Sequence, residues 1–348
     1  MKKSFTLIEL IIVMVILAIL SVITFKILAR VYQNYLYVKA TNKLNNKLDY
    51  TMEMISAKLR DRIRNSVIAT KYPDTNHPNL VDFKGIGEIT NSDTDYKILE
   101  WISKDYEAKN GIWSDALGHI QTGWSGFIDL GYNSHKIADN PKEFNVTSID
   151  TNLTIVKLID QNITSGYGYN QDIFESNTTV LIFSGDDMGG DIVHDLNESY
   201  GWYKDDINRF AKAVFAIKDY NTSISQTKSP NTVLDITSIS ENNDTTLYSR
   251  YFLARTAYAL VPIENNETLE DGTKVNDYNI TFIYNYQPWQ GDWYKDGNSS
   301  ILATHVTEFR FKKDLDTPMI RLYMCMQAPE VELNSTHNLT LCKEKAIF

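Results

Sequence analysis

Neither proline nor glycine occurs between Met1 and Tyr72; Pro73 is the first breaker. So long a stretch without a turn residue excludes the broken start of most globular domains and leaves one helix free to run. Cysteine is nearly absent: Cys325 and Cys342 are the two in 348 residues. Two cysteines exclude a disulfide-dense scaffold, and their spacing is not the C-x-x-C of zinc or redox sites. The six histidines, His77, His119, His135, His194, His305 and His337, are scattered, and none pairs at zinc-ligand spacing. No phosphate-binding glycine loop is present. Gly123-Trp-Ser-Gly-Phe127 comes near a nucleophile elbow, but Phe127 stands where that motif needs glycine, so the segment reads as a turn. Basic charge is in deficit. Thirty-four Lys and Arg face 44 Asp and Glu, a net charge of −10, which argues against bulk nucleic-acid binding. A local basic cluster, Lys58, Arg60, Arg62 and Arg64, reads as a solvated helix face. There is no internal repeat and no low-complexity tract.

What is present begins at once. Lys2 and Lys3 precede an apolar run from Phe5 to Phe25, twenty-one residues that span ~30 Å as a helix, about one bilayer core. Lys26 and Arg30 follow it, so the positive-inside rule favours a cytoplasmic start only weakly. One carboxylate, Glu9, lies inside the run. An intramembrane carboxylate costs several kcal/mol unless it finds a partner, which marks it as functional. Beyond the run, Leu44, Leu48, Met52, Ile55, Leu59 and Ile63 recur every three or four residues as one apolar stripe. Lys43, Lys47, Asp49, Glu53, Lys58, Arg60 and Asp61 form the other side. The pattern predicts one helix over 5–72, transmembrane over 5–25 and amphipathic later, whose second half packs on a folded domain.

Lys2-Lys3-Ser4 followed by Phe5-Thr6-Leu7-Ile8-Glu9 resembles the leader and mature start of type IV pilins and type II secretion pseudopilins. The resemblance covers about the first seventy residues. It implies that residues 1–4 are a leader, that a prepilin peptidase cuts between Ser4 and Phe5, and that the new amino group of Phe5 is methylated. The family usually carries glycine before the cut, where this chain has Ser4. It further implies that Glu9, the fifth mature residue, neutralises the N-terminus of a neighbouring subunit during assembly. Low-dielectric physics agrees, since a buried carboxylate is held most cheaply by a cation on its partner. Many pilins carry a C-terminal disulfide loop, so the resemblance implies a Cys325–Cys342 bridge, which an oxidising compartment permits. On the chain-entropy model such a loop contributes ~3 kcal/mol.

A second pattern runs along the remainder. Twelve N-x-S/T triplets without proline lie after residue 140. Eleven of them, at Asn145, Asn152, Asn162, Asn177, Asn197, Asn221, Asn243, Asn266, Asn279, Asn298 and Asn334, carry Asp or Glu two positions upstream; Asn338 has Thr336. Acids are about one residue in eight of this chain (44 of 348), so chance does not place eleven at one offset. Asx-rich turns favour Asp and Asn but would not fix both flanks. The pattern resembles the extended acceptor site, D/E-x-N-x-S/T, of bacterial periplasmic oligosaccharyltransferases. It implies asparagines on exposed loops or sheet edges of a periplasmic head.

Residues 73–150 read as a loop-rich insertion, and 151–348 as a β-rich head. Leu153–Ile159, Thr179–Phe183, Phe210–Ile217, Tyr251–Val261, Tyr278–Tyr286, Val306–Phe311 and Met319–Met326 carry strand signals. One long helix followed by such strands predicts an α+β fold, with an antiparallel sheet laid on the helix stripe. Asp186, Asp187, Asp191 and Asp195 lie among Gly185, Gly189 and Gly190. The first three are a weak calcium candidate without EF-hand spacing, and a solvated loop is the preferred reading. Tyr284, Tyr286, Pro288, Trp289, Trp293 and Tyr294 are either a sticky surface or, as preferred, core. No cofactor is expected. The expected function is that of a minor pilin or pseudopilin at or near a fibre tip, large-headed like the J-type pseudopilin. Its expected partners are other such subunits, the peptidase, the inner membrane and an oligosaccharyltransferase. The alternatives are a membrane-anchored periplasmic enzyme and a competence pilin of a DNA-uptake machine.

Overall fold

The computed structural model describes residues 7–73, 81–114, 118–131, 135–136, 142–168, 170–183, 196–203, 211–223, 230–240, 247–265, 277–314, 317–334 and 337–348. The helices are α1 (Leu7–Arg60), α2 (Tyr106–Asn110), α3 (Leu153–Gly166) and α4 (Leu196–Ser199). The strands are β1 (Ile68–Lys71), β2 (Phe83–Gly85), β3 (Tyr96–Ile102), β4 (Ile112–Ser114), β5 (His119–Gln121), β6 (Ile128–Asp129), β7 (His135–Lys136), β8 (Glu143–Ser148) and β9 (Val180–Ile182). They continue as β10 (Val214–Ser223), β11 (Asn231–Ser238), β12 (Phe252–Ala254), β13 (Ala257–Asn265), β14 (Asp277–Tyr286), β15 (Asn298–Lys313), β16 (Ile320–Asn334) and β17 (His337–Ile347). The fold is α+β, as the sequence predicts.

Residues 7–39 of α1 are exposed on every side. At ~1.5 Å per residue this stem is ~50 Å long. From Leu44 onward the stripe is buried: Leu44, Leu48, Met52, Ile55 and Leu59 each keep 5% exposure or less. They pack on an eight-stranded antiparallel sheet ordered β17-β16-β15-β14-β13-β3-β1-β2. Trp101, Tyr258, Leu260, Val306, Leu322 and Met324 supply that sheet's half of the core. The opposite face of the sheet carries Ile68, Ile98, Ile102, Ala257 and Tyr286. These pack with Val180, Ile182 and Val214 of a second sheet. That sheet, ordered β12-β9-β10-β11-β8-β6, buries its own inner face through Phe144, Val146, Leu181, Phe215 and Leu234 against Leu153 and Val156 of α3.

Several expectations are corrected. The helix stops at Arg60 rather than Tyr72. The backbone after it is captured by the end of β3: the Ile63 N–H donates to the Ile102 carbonyl and the Lys104 N–H to the Asp61 carbonyl, both at 2.8 Å. The β-branched Ile68 and Thr70 then join β1. Residues 73–150 are not an insertion, because β3 lies inside the main sheet between β1 and β13, with Ile98, Leu99, Trp101 and Ile102 fully buried. Leu153–Ile159 is helix, not strand. Leu153, Val156, Asp160 and Thr164 make a helical stripe that tertiary packing buries, despite the β-branched residues between them. The expected strand Tyr251–Val261 is two strands in two sheets: β12 pairs with β9, and β13 with β3 and β14. Arg255 and Thr256 lie at the crossing. Tyr278–Tyr286 and Val306–Phe311 fall within β14 and β15.

Candidate assembly interface

The stem's first turn carries Glu9 among exposed Leu7, Ile8, Leu10, Ile11 and Ile12. Exposed apolar side chains continue through Val22, Phe25, Leu28, Val31 and Tyr35. In water a surface of this length and apolarity is costly, so it demands lipid or other helices. By length and composition it is able to cross a membrane. Ser4 and Phe5 lie outside the described residues.

The stem is anchored where it enters the head. Lys47 Nζ donates to Thr304 Oγ1 at 2.5 Å, and burial, then repulsion from Lys43, holds its pKa down. Asp49 pairs with Lys343 and Glu53 with Lys345, tying the solvent side of α1 to the edge strand β17. These pairs are exposed and contribute little each. Cys325 and Cys342 face one another across β16 and β17 and form the bridge, with Cα atoms 4.0 Å apart. It staples a hairpin that is already paired.

Arg62 is the residue that sequence reading misplaces. It is not on a solvated face but 2% exposed. Its guanidinium donates to the carbonyls of Leu59 at 2.7 Å, Pro318 at 2.8 Å and Phe348 at 3.1 Å. A carbonyl left open at the end of α1 and the main-chain oxygens of Pro318 and Phe348 thus share one cation. The signal was present: Arg62 follows Leu59 by three, on the buried stripe.

Three buried carboxyls, at two places, also escape sequence reading. Glu100 of β3 is fully buried between the two sheets and accepts hydrogen bonds from Thr70 Oγ1 (2.7 Å), Tyr286 Oη (2.9 Å) and Tyr203 Oη. Burial pushes its pKa up to about 7, and the three hydroxyls oppose that rise. At the sheet crossing, Arg255 Nε lies 3.5 Å from Asp160 Oδ1, with Asp105 beside them; all three are buried. Burial raises both carboxyls, more strongly for Asp105, which also feels the charge of Asp160. Alternating polar residues gave no hint of Glu100, because a strand buried on both faces has no polar side to read.

The aromatic stretch is mostly core: Tyr286, Trp289 and Tyr294 are buried, and the Trp289 Nε1–H donates to the Asn177 carbonyl at 2.9 Å. The calcium candidates Asp186, Asp187 and Asp191, with Asp195, lie outside the described residues.

The proposed acceptors divide. Asn221 and Asn298 are exposed on strands, and Asn162 is exposed on α3. Asn145, Asn177 and Asn279 are half-buried. Asn152 is 1% exposed beneath the start of α3, against the expectation of an exposed acceptor, because its backbone is locked to the Gly123 carbonyl and the first turn of α3. The acceptors also sit within strands and a helix more than on loops. Asn243 and Asn266 lie outside the described residues, as do the side chains of Asn197 and Asn334.

Residues 1–25 match the model of the prokaryotic N-terminal methylation motif, the prepilin signal of type IV pilin-like proteins. That signal implies processing by a prepilin peptidase and assembly with other pilins. No curated protein matches the chain. No solved structure matches it either.

Proposed function

We propose that this chain is a structural subunit of a type IV pilus-like or type II secretion pseudopilus fibre. The observation that carries the reading is the methylation motif at residues 1–25 joined to a stem whose residues 7–39 the head leaves uncovered. The peptidase cuts before Phe5, the new N-terminus is methylated, and the apolar stem holds the protein in the inner membrane with its head in the periplasm. On assembly the stem exchanges lipid for neighbouring stems. Glu9 then meets the cationic N-terminus of an adjacent subunit, which offsets the cost of leaving a carboxylate in an apolar bundle. The head stands far larger than the stem's cross-section, which favours a sparse subunit at or near the tip, like the J-type pseudopilin, over the repeating one. Its role is mechanical, with no catalytic step.

The test is assembly. Glu9→Val inserts in the membrane but enters fibres at least tenfold less often than wild type, scored by fibre shearing and immunoblot. Mass spectrometry of fibre-derived protein gives a mature start at methylated Phe5. Normal fibre entry of the variant, or an intact Met1 in assembled protein, refutes the reading.

A further inference from the structure

The acid two residues before eleven of the twelve asparagines has a simple structural rival. Along a strand, residues two apart share a face, so D-x-N-x-T is also what the polar side of a half-buried strand looks like. The fold separates the two explanations. The pattern sits on strands at Asn145, Asn221, Asn279 and Asn298, on a helix at Asn162, and in a turn with left-handed backbone (φ 54°) at Asn177. On α3 the offset of two does not share a face: Asp160 and Thr164 are buried while Asn162 is exposed. Strand alternation cannot write the same spacing into a helix and a turn. The spacing therefore belongs to a reader of the linear chain, not to the fold.

The structure then sorts the sites. At Asn221 the acid Asp219, the amide and the hydroxyl of Ser223 are all exposed along β10. At Asn298, Asp296 and Ser300 are likewise exposed at the start of β15; Asn298 Oδ1 accepts from Asn285 Nδ2 at 3.0 Å, a bond that does not use the attacking nitrogen, and Asp296 Oδ2 accepts from the Trp293 N–H at 2.8 Å. At the other described sites a member of the triad is withdrawn. Asp160 is fully buried and accepts from Thr179 Oγ1 at 2.7 Å. Asp277, the acid of the Asn279 site, is buried against His305 Nδ1 (2.9 Å) and Gln327 Nε2 (2.8 Å). Thr179, the hydroxyl of the Asn177 site, is fully buried. Asn145 Nδ2 donates to Asp235 Oδ1 at 2.5 Å, which occupies the amide.

We propose that the folded head accepts N-linked oligosaccharide at Asn221 and Asn298, and that Asn152, Asn162 and Asn279 are acceptors only while the chain is unfolded. The donor is a polyprenyl-pyrophosphate oligosaccharide, and the catalyst a transferase that reads the carboxylate with a basic group. Asparagine Nδ2 attacks the anomeric carbon C1. The N–C1 bond forms as the C1–O bond to pyrophosphate breaks, and the amide proton leaves with the departing lipid pyrophosphate. Nothing is oxidised or reduced.

Full-length protein, produced bare in cells without such a transferase and held in detergent micelles, is incubated with a purified bacterial oligosaccharyltransferase of this specificity and its lipid-linked donor. Glycopeptide mass spectrometry reads occupancy site by site. Asn221 and Asn298 gain sugar, while Asn152, Asn162 and Asn279 gain at least tenfold less. Synthetic peptides spanning those three are accepted. Asp219→Ala lowers Asn221 occupancy at least tenfold and leaves Asn298 unchanged; Asp219 is exposed, so the fold is kept. Bare Asn221 and Asn298 on the folded chain, unchanged occupancy in Asp219→Ala, or equal sugar on Asn152 of the folded chain overturns the proposal. The assay uses no fibre and no cell, so its failure is separate from failure of the assembly reading.

Discussion

Replacing Glu100 by glutamine tests the physics of the seam between the two sheets. In the unfolded chain this carboxyl loses its proton near the usual carboxylate value of 4.5; in the folded head burial carries it to about 7. Between those values the native state holds one proton more than the unfolded state, so stability falls as pH rises. The contribution is fully present below pH ~4.5 and gone above ~7. At about 1.4 kcal/mol per pH unit between 4.5 and about 7, the loss is ~3.5 kcal/mol. Thr70, Tyr203 and Tyr286 keep it from being larger by donating to the charged form. The side chain of Glu100→Gln cannot ionise, yet its carbonyl still accepts from these hydroxyls and its amide donates to a phenol oxygen. The variant should match or fall ~1 kcal/mol below wild type at pH 5, where both are neutral. At pH 8 it should exceed wild type by ~2–3 kcal/mol. Urea unfolding of the full chain in detergent, followed by tryptophan fluorescence at half-unit steps, gives the difference curve. Groups that titrate alike in the two proteins cancel in the difference. Parallel wild-type and variant profiles from pH 5 to 8 would refute the claim that Glu100 is held protonated by burial.

Arg62→Met removes the donor shared by the Leu59, Pro318 and Phe348 carbonyls and should cost ~2–4 kcal/mol in urea unfolding; a change under ~0.5 kcal/mol would show that water satisfies those carbonyls instead. Cys342→Ser should lower stability by ~2–3 kcal/mol under oxidising conditions and leave the variant insensitive to reductant, measured by thermal melting with and without dithiothreitol. The cost should sit at the low end, because the bridge joins residues already paired in register across β16 and β17.

Much of the stem was legible because its rules are local. Absence of breakers, an apolar run of bilayer length and a stripe at helical spacing each depend on residues within a few turns of one another. Leu44, Leu48, Met52, Ile55 and Leu59 are buried as that stripe requires, whereas Ile63 lies past the helix end and packs with the opposite face of the sheet. Arg62 resembles a surface residue because its neighbours in sequence are charged, while its partners Pro318, Ile347 and Phe348 lie more than 250 residues away. Leu153–Ile159 carries β-branched residues that signal strand, while the three-four spacing of Leu153, Val156 and Asp160 is the one that packing buries as a helix. The strand break at Arg255 has no local mark at all. A run of apolar and aromatic residues looks continuous whether it stays in one sheet or crosses to another, and only the buried ion pair with Asp160 shows where it crosses.

The amino-acid order alone thus determined the membrane-length stem, the single acid within it, the signal at its start and the fixed acid–asparagine–hydroxyl spacing of the head. Each is a pattern among residues close together along the chain, and so is legible without the fold. Tertiary structure alone decided which asparagines remain open, why Glu100 keeps its proton near neutral pH, and how Arg62 locks the stem to the C-terminus. Those properties arise from exclusion of water by residues distant in sequence, and desolvation has no address until the chain has folded.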